Sequence, residues 1–178
     1  MRSFLALPLP DLLADELSFF AQRLKLGRPQ PPENMHITLA FLDEQPVSVL
    51  EDLHEALEAT ALPAVSVGFA GVDPLGGKIP SVLALRVTGV DTLQARVASV
   101  VRGIGITLPH RKFRAHVTLA RLPRKPGAED MAALGHVLET HGNAQFPEAH
   151  LREMSLYQSH LRPEGAWYER LADYPLSG

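Results

Sequence analysis

His36 and Thr38 stand in the run His36-Ile37-Thr38-Leu39, and the pattern returns as His116-Val117-Thr118-Leu119. On a strand, successive side chains turn to opposite faces. Each run would therefore present one imidazole beside one hydroxyl and anchor its apolar pair behind them. An imidazole gives or takes a proton near neutral pH, and a hydroxyl donates to an anionic oxygen. Facing each other across a cleft, the two strands would supply an acid, a base and two donors to a single phosphorus centre.

Cleaving a phosphate ester by water needs that water deprotonated on one side of phosphorus and a leaving oxygen protonated on the other. We assign protonated His36 as general acid toward the leaving oxygen and neutral His116 as general base for water, the roles exchanging in the reverse direction. Thr38 and Thr118 are placed to stabilise the non-bridging oxygens. The remaining histidines do not build a metal site. His54 opens like a zinc-protease helix but offers Glu58 where the second His should stand, and His136 and His141 are not on one helical face. The expectation is no metal and no cofactor.

Charge marks the second run. Net charge is −3 and the pI is near 6.2, which argues against a bulk nucleic-acid coat. Yet from His110 to Ala128 the chain carries Arg111, Lys112, Arg114, Arg121, Arg124 and Lys125 and no acidic residue. Such a field draws in a polyanion. Arg114 and His110 lie in this stretch and are candidate substrate contacts. Arg121 is five residues beyond His116, so on a regular strand it faces away, and it reaches the groove only over the strand end or through a twist or bulge. Phe41, its counterpart in the repeat, either stacks on a base or fills core, the second reading being preferred.

These side chains need a scaffold, and the chain repeats itself to make one. From His36 to Leu42 against His116 to Leu122, five of seven positions are identical and one is Ile against Val. The offset is 116 − 36 = 80 residues, and at that offset Phe4-Leu5-Ala6-Leu7 falls on Ala84-Leu85-Arg86-Val87 and Asp11 on Asp91. Duplication follows. With 178 residues and 46% hydrophobic composition, the chain forms one bilobal domain over 1–178, its halves at about 1–75 and 80–178. The absence of cysteine suits a reducing cytoplasm. The run Phe4 to Leu9 is too short for a secretory core, and nothing reaches transmembrane length.

The expected elements alternate. Ser3 to Leu7 is a strand, followed by a helix capped at Asp11 with the stripe Leu13, Leu17, Phe20 and Leu24, ended by Gly27. After a proline-rich loop come the strand Met35 to Phe41, a helix with a Ser48/Glu51 capping box, and a strand near Val65 to Val72. A loop through Gly71, Pro74, Gly76 and Pro80 joins the halves. Ser81 to Val87 then gives a strand, Asp91 with Gln94 caps a helix, and the second His-Thr strand follows. A helix near Glu129 to Thr140 and a hairpin of about His150–His160 and Ala166–Leu171 close the chain. The fold class is α+β, with two pseudo-symmetric, mainly antiparallel sheets backed by helices around a central cleft.

The chain resembles the RNA 2′,3′-cyclic phosphodiesterases, historically called 2′-5′ RNA ligases, of the two-histidine phosphoesterase superfamily. The resemblance rests on Asn34-Met35-His36-Ile37-Thr38-Leu39-Ala40-Phe41-Leu42, His116-Val117-Thr118-Leu119-Ala120-Arg121, and Ser155-Leu156-Tyr157-Gln158-Ser159 with Gly165 and Tyr168. It implies a bilobal fold with the motifs facing across a cleft, hydrolysis of terminal 2′,3′-cyclic phosphates to 2′-phosphomonoesters, weak 2′-5′ joining in reverse, and phosphate binding by Arg121. Asp43 stands where members often have Gly, and Ala115 where they often have Pro. The partners implied are RNA ends or small nucleotides, with no membrane and no obligate protein partner. Two rivals are a phosphodiesterase for another small nucleotide, such as a 2′-5′ oligoadenylate or cyclic ADP-ribose phosphate, and a non-catalytic RNA or nucleotide binder. Binding alone does not call for two titratable groups on opposing strands, which disfavours the last.

Overall fold

A computed structural model describes all residues, 1–178. The strands are β1 (Arg2–Pro8), β2 (Arg28–Pro29), β3 (His36–Glu44), β4 (Val65–Gly76), β5 (Pro80–Thr88), β6 (His116–Arg121), β7 (Gln145–Leu151), β8 (Glu153–Arg162) and β9 (Gly165–Pro175). The helices are α1 (Asp11–Arg23), α2 (Val47–Glu58), α3 (Asp91–Gly103) and α4 (Ala128–His141). All pairings between these strands are antiparallel, in the order β7-β4-β5-β6-β3-β1-β8-β9, with β2 added on β6.

The two expected sheets are thus joined into one, but barely. β3 and β6 pair at the single position Ile37↔Val117, and beyond it β2 takes over the edge of β6. The sheet halves also do not follow the sequence halves. β4, from the first half of the chain, pairs with β5 and β7, while β8 and β9 extend the sheet from β1. The stretch expected as a loop between halves is largely strand: Gly71, Pro74 and Gly76 lie inside β4, and irregular pairing flanks Ala70-Gly71 and the end at Gly76.

Helices cover one face only. Leu17 of α1, Leu53 of α2, Val97 of α3 and Leu134 of α4 share one cluster of 40 buried residues with Ile37, Leu39, Val117 and Leu119. At about 25 cal/mol per Å² of apolar surface removed from water, this core supplies the main drive for folding. Period-2 alternation then leaves His36, Thr38, His116 and Thr118 half-buried on the opposite face, free of helices.

The helix starts differ from the expected caps. Pro10, Pro46 and Val90 occupy the N-cap positions of α1, α2 and α3, with no side-chain cap at any of them. Asp11 and Asp91 sit inside the first turn, where a carboxylate complements the helix dipole. Gln94 caps nothing; its Nε2 donates to the Leu39 carbonyl at 3.3 Å and ties α3 to β3. β7, with Pro147 in its middle, is an addition to the expected elements. It lies at the edge of the sheet, where a missing N–H costs no ladder bond.

Candidate active site

The geometry of the groove begins with a bulge made twice. β1 pairs Leu5↔Ala40 and then Ala6↔Thr38, and β5 pairs Leu83↔Ala120 and then Ala84↔Thr118. Leu39 and Leu119 are each the extra residue. A bulge reverses the inside-outside alternation beyond it: Leu39 and Ala40 are buried in succession, as are Leu119 and Ala120. Phe41 and Arg121 are thereby returned to the face that carries His36, Thr38, His116 and Thr118. The odd spacing of Arg121 from His116 is resolved in this way, not by reach over the strand end.

The bulge carbonyls are used. Gln30 N–H donates to the Leu119 carbonyl at 2.8 Å, and Gln94 serves Leu39. Gly27, which does not end α1, has a φ of +61° and sits so near β6 that a Cβ would lie 2.2 Å from the Arg121 carbonyl oxygen. Only glycine lets this loop close on the strand. Asp43 keeps a φ of +56°, a left-handed conformation that Asp tolerates better than most non-glycine residues.

Antiparallel register about Ile37↔Val117 sets His36 across from Thr118 and Thr38 across from His116. The two imidazoles are then diagonal neighbours, on the order of 7–8 Å apart at the backbone, a span that a tetrahedral phosphate fills. Each ring is oriented from behind. The Arg114 carbonyl accepts from His116 Nδ1–H at 2.7 Å, and the Asn34 backbone bonds His36 likewise, two residues upstream. With Nδ1 so engaged, Nε2 is the atom left to exchange a proton.

The rings differ in surroundings. His36 is boxed by Phe4 at 5.0 Å, Tyr168 edge-on at 5.2 Å and Tyr157 at 6.1 Å between ring centroids. Burial, opposed by the Asn34 hydrogen bond and assisted by the charges of His116 and Arg121, holds its pKa down at about 4. So placed, His36 is neutral at pH 7, and an acid role requires that substrate bring its proton. The charge of Arg121 is also felt at the His36 ring.

Other expected contacts fall unevenly. Phe41 is 45% exposed, 6.3 Å from Phe4, with the Arg111 guanidinium 6.0 Å from its ring centre; it is a groove residue, not core. Arg114 acts on His116 through its carbonyl, and its side chain is exposed. His110 is exposed in the loop before β6 and makes no hydrogen bond to these groups. The sequence reading missed the box of Phe4, Tyr157 and Tyr168 as a part of the site. Its signals were the phase of Phe4 with Ala6, beside Thr38, and the place of Tyr157 and Tyr168 among the residues that carry the resemblance. No three His, Asp or Glu side chains gather as a metal-binding group.

Residues 11–161 match the family model of the 2′-5′ RNA ligase superfamily. The chain belongs to this superfamily. Within it, the chain is 29% identical to an RNA 2′,3′-cyclic phosphodiesterase of Archaeoglobus fulgidus, over 96% of this chain and 98% of that one. It is 24% identical to a protein of the same name from Methanocaldococcus jannaschii, over 98% and 100%. The fold is that of a Thermus thermophilus protein (TM-score 0.77, 24% identity, 100% and 99% covered). It is also that of Escherichia coli LigT in complex with 3′-AMP (TM-score 0.75, 19% identity, 99% and 98% covered). The superfamily's mixed antiparallel architecture is therefore the one found here, and no helix is long and apolar enough to cross a membrane.

Proposed function

We propose that the chain is an RNA 2′,3′-cyclic phosphodiesterase that opens terminal cyclic phosphates to 2′-phosphomonoesters by two-histidine acid/base catalysis. The observation that carries this reading is the duplicated His-Thr pair on one uncovered sheet face, set diagonally about Ile37↔Val117. Proteins bearing the name of this activity match nearly the whole chain.

The cyclic phosphate sits between the two Nε2 atoms. Its negative charge beside His36 offsets the repulsion of Arg121 and His116 and favours the imidazolium, so His36 takes its proton with substrate. His116 removes a proton from water as the oxygen attacks phosphorus. The bond to the 3′ oxygen breaks in line, and His36 protonates the leaving alkoxide. Thr38, Thr118 and Arg121 hold the non-bridging oxygens as their charge grows. With the 5′-hydroxyl of a second RNA end in place of water, the same steps open the cyclic phosphate into a 2′-5′ phosphodiester. His116 takes the proton of that hydroxyl and His36 protonates the 3′ oxygen; cleavage of the linkage back to the cyclic phosphate exchanges the roles.

The test is an RNA oligonucleotide ending in a 2′,3′-cyclic phosphate, incubated with the chain in EDTA, followed by mapping of the product phosphate. Turnover to a 2′-phosphate is expected. A 3′-phosphate product, or turnover only with an added divalent metal, overturns the reading.

A further inference from the structure

Asn34 lies two residues before His36, and its backbone carbonyl is the acceptor for the His36 ring. Its side chain takes no part in the reaction described above, yet it is held on two sides. Nδ2 donates to Gln30 Oε1 at 3.3 Å and to the Ala166 carbonyl of β9 at 3.1 Å. Gln30 is itself anchored and only 7% exposed. Its N–H is the donor to the Leu119 bulge carbonyl, and its own carbonyl accepts from Ser18 Oγ of α1 at 2.9 Å. One amide group thus ties the turn before His36 to the strand that carries His116 and to the hairpin of β8 and β9.

The hairpin tie bears on the same ring. Tyr168 follows Ala166 by two residues on β9, so both project to one face, and Tyr168 stands edge-on to His36 at 5.2 Å. Arg28 adds a second strut, its Nη1 donating to the Glu164 carbonyl at 3.0 Å. Holding Ala166 holds a wall of the aromatic box; holding Asn34 holds the carbonyl behind the ring.

The duplication supplies a control. At the offset of 80 residues Asn34 falls on Arg114, whose carbonyl accepts from His116 in the same way. The Arg114 side chain, however, is exposed and ties its loop to no neighbouring strand. The orienting carbonyl is common to both halves, and the lock belongs to His36 alone.

A neutral imidazole carries one N–H, and the partner of one nitrogen decides where it sits. With the Asn34 carbonyl in place, His36 holds Nδ1–H and offers a lone pair at Nε2. There it takes up a proton with substrate and passes it to the leaving 3′ oxygen, returning to the same tautomer. In the other tautomer the ring can be loaded only at Nδ1, away from the phosphate.

We propose that Asn34 is a positioning residue for the acid step: its side-chain amide locks the carbonyl behind His36 and thereby keeps the ring in the Nδ1–H tautomer. The inference rests on the phosphodiesterase reading above.

The experiment compares a terminal cyclic phosphate with its counterpart bearing sulfur in place of the 3′ oxygen, which leaves as a thiolate without a proton. Asn34→Ala should lower kcat on the oxygen substrate by about 10- to 100-fold with KM little changed, and on the sulfur substrate by less than about 3-fold. Asn34→Leu, which keeps the bulk but donates nothing, should do the same. Nitrogen-15 resonance of the His36 ring at pH 7 reads the tautomer without turnover. It should be Nδ1–H in the wild-type chain and a mixture in both variants. Equal loss on both substrates, no loss on the oxygen substrate, an Nε2–H ring in the wild-type chain, or a tautomer unmoved in the variants overturns the proposal. Turnover of neither substrate by the wild-type chain overturns the phosphodiesterase reading itself, and the tautomer comparison then still judges the lock.

Discussion

Ile37 and Val117 face each other as the single paired position between β3 and β6, and both are fully buried on the helix side of the sheet. His36, Thr38, His116 and Thr118 flank this pair in sequence, so the distance between the two imidazoles is set by how two aliphatic side chains pack beneath them. Ile37→Ala should cost about 2–5 kcal/mol of stability, and Ile37→Val about 0.5–1.5. Urea unfolding reads the cost, and kcat measured on the folded fraction reads the geometry. The alanine variant should lose kcat as well as stability, whereas an unchanged kcat would show that the seam does not position the rings.

Burial of His36 makes stability depend on pH in a defined direction. Its pKa is about 4 folded against 6.5 for the free side chain. Between those values the unfolded chain holds a proton that the native state does not, so stability is full above the window and falls as pH drops through it. The contribution lost is at most about 3 kcal/mol. Wild type should lose more stability between pH 7 and pH 4.5 than His36→Gln does. Parallel curves for the two would contradict the assignment.

In the proposed mechanism Thr38 and Thr118 serve the non-bridging oxygens, which gain charge only as the reaction proceeds. Replacing either by the near-isosteric Val should lower kcat by about 10²-fold with KM little changed. A rise in KM at constant kcat would mean that the hydroxyls hold the ground state and not the transition state.

The division of labour between the rings is separable by the leaving group. A cyclic phosphate with sulfur in place of the 3′ oxygen expels a thiolate that needs no proton. His36→Ala should recover most of its lost rate on this substrate, and His116→Ala should not. Rescue of His116→Ala instead would assign the base role to His36, the role its neutral state in the free groove favours.

Much of this was readable in the chain because it is written twice. The His-Thr strands, the helix starts at Asp11 and Asp91, and the separation of an apolar from a reactive face all follow from local pattern and repeat. What pattern could not give depends on pairing between distant strands. The reactive rows align as Ala6↔Thr38 and Ala84↔Thr118, which relates β1 to β5 by 84 − 6 = 78 residues while the His-Thr strands differ by 80. The end of β5 beyond Ala84 runs to Thr88, whereas β1 beyond Ala6 stops at Pro8, and these two extra strand residues absorb the difference. The bulges at Leu39 and Leu119 appear only in cross-strand register, and with them the return of Phe41 and Arg121 to the groove. The box around His36 draws Phe4, Tyr157 and Tyr168 from β1, β8 and β9, and no local spacing connects these.

The central claim is that both imidazoles act on one phosphorus atom. Nuclear magnetic resonance of the nitrogen-15-labelled histidines, titrated with a 2′-nucleotide product at pH 6, tests it most directly. The Nε2 signals of His36 and His116 should move together with one dissociation constant, and His36 should take up a proton on binding. If only one ring responds, or the two respond with different constants, the phosphate does not lie between them.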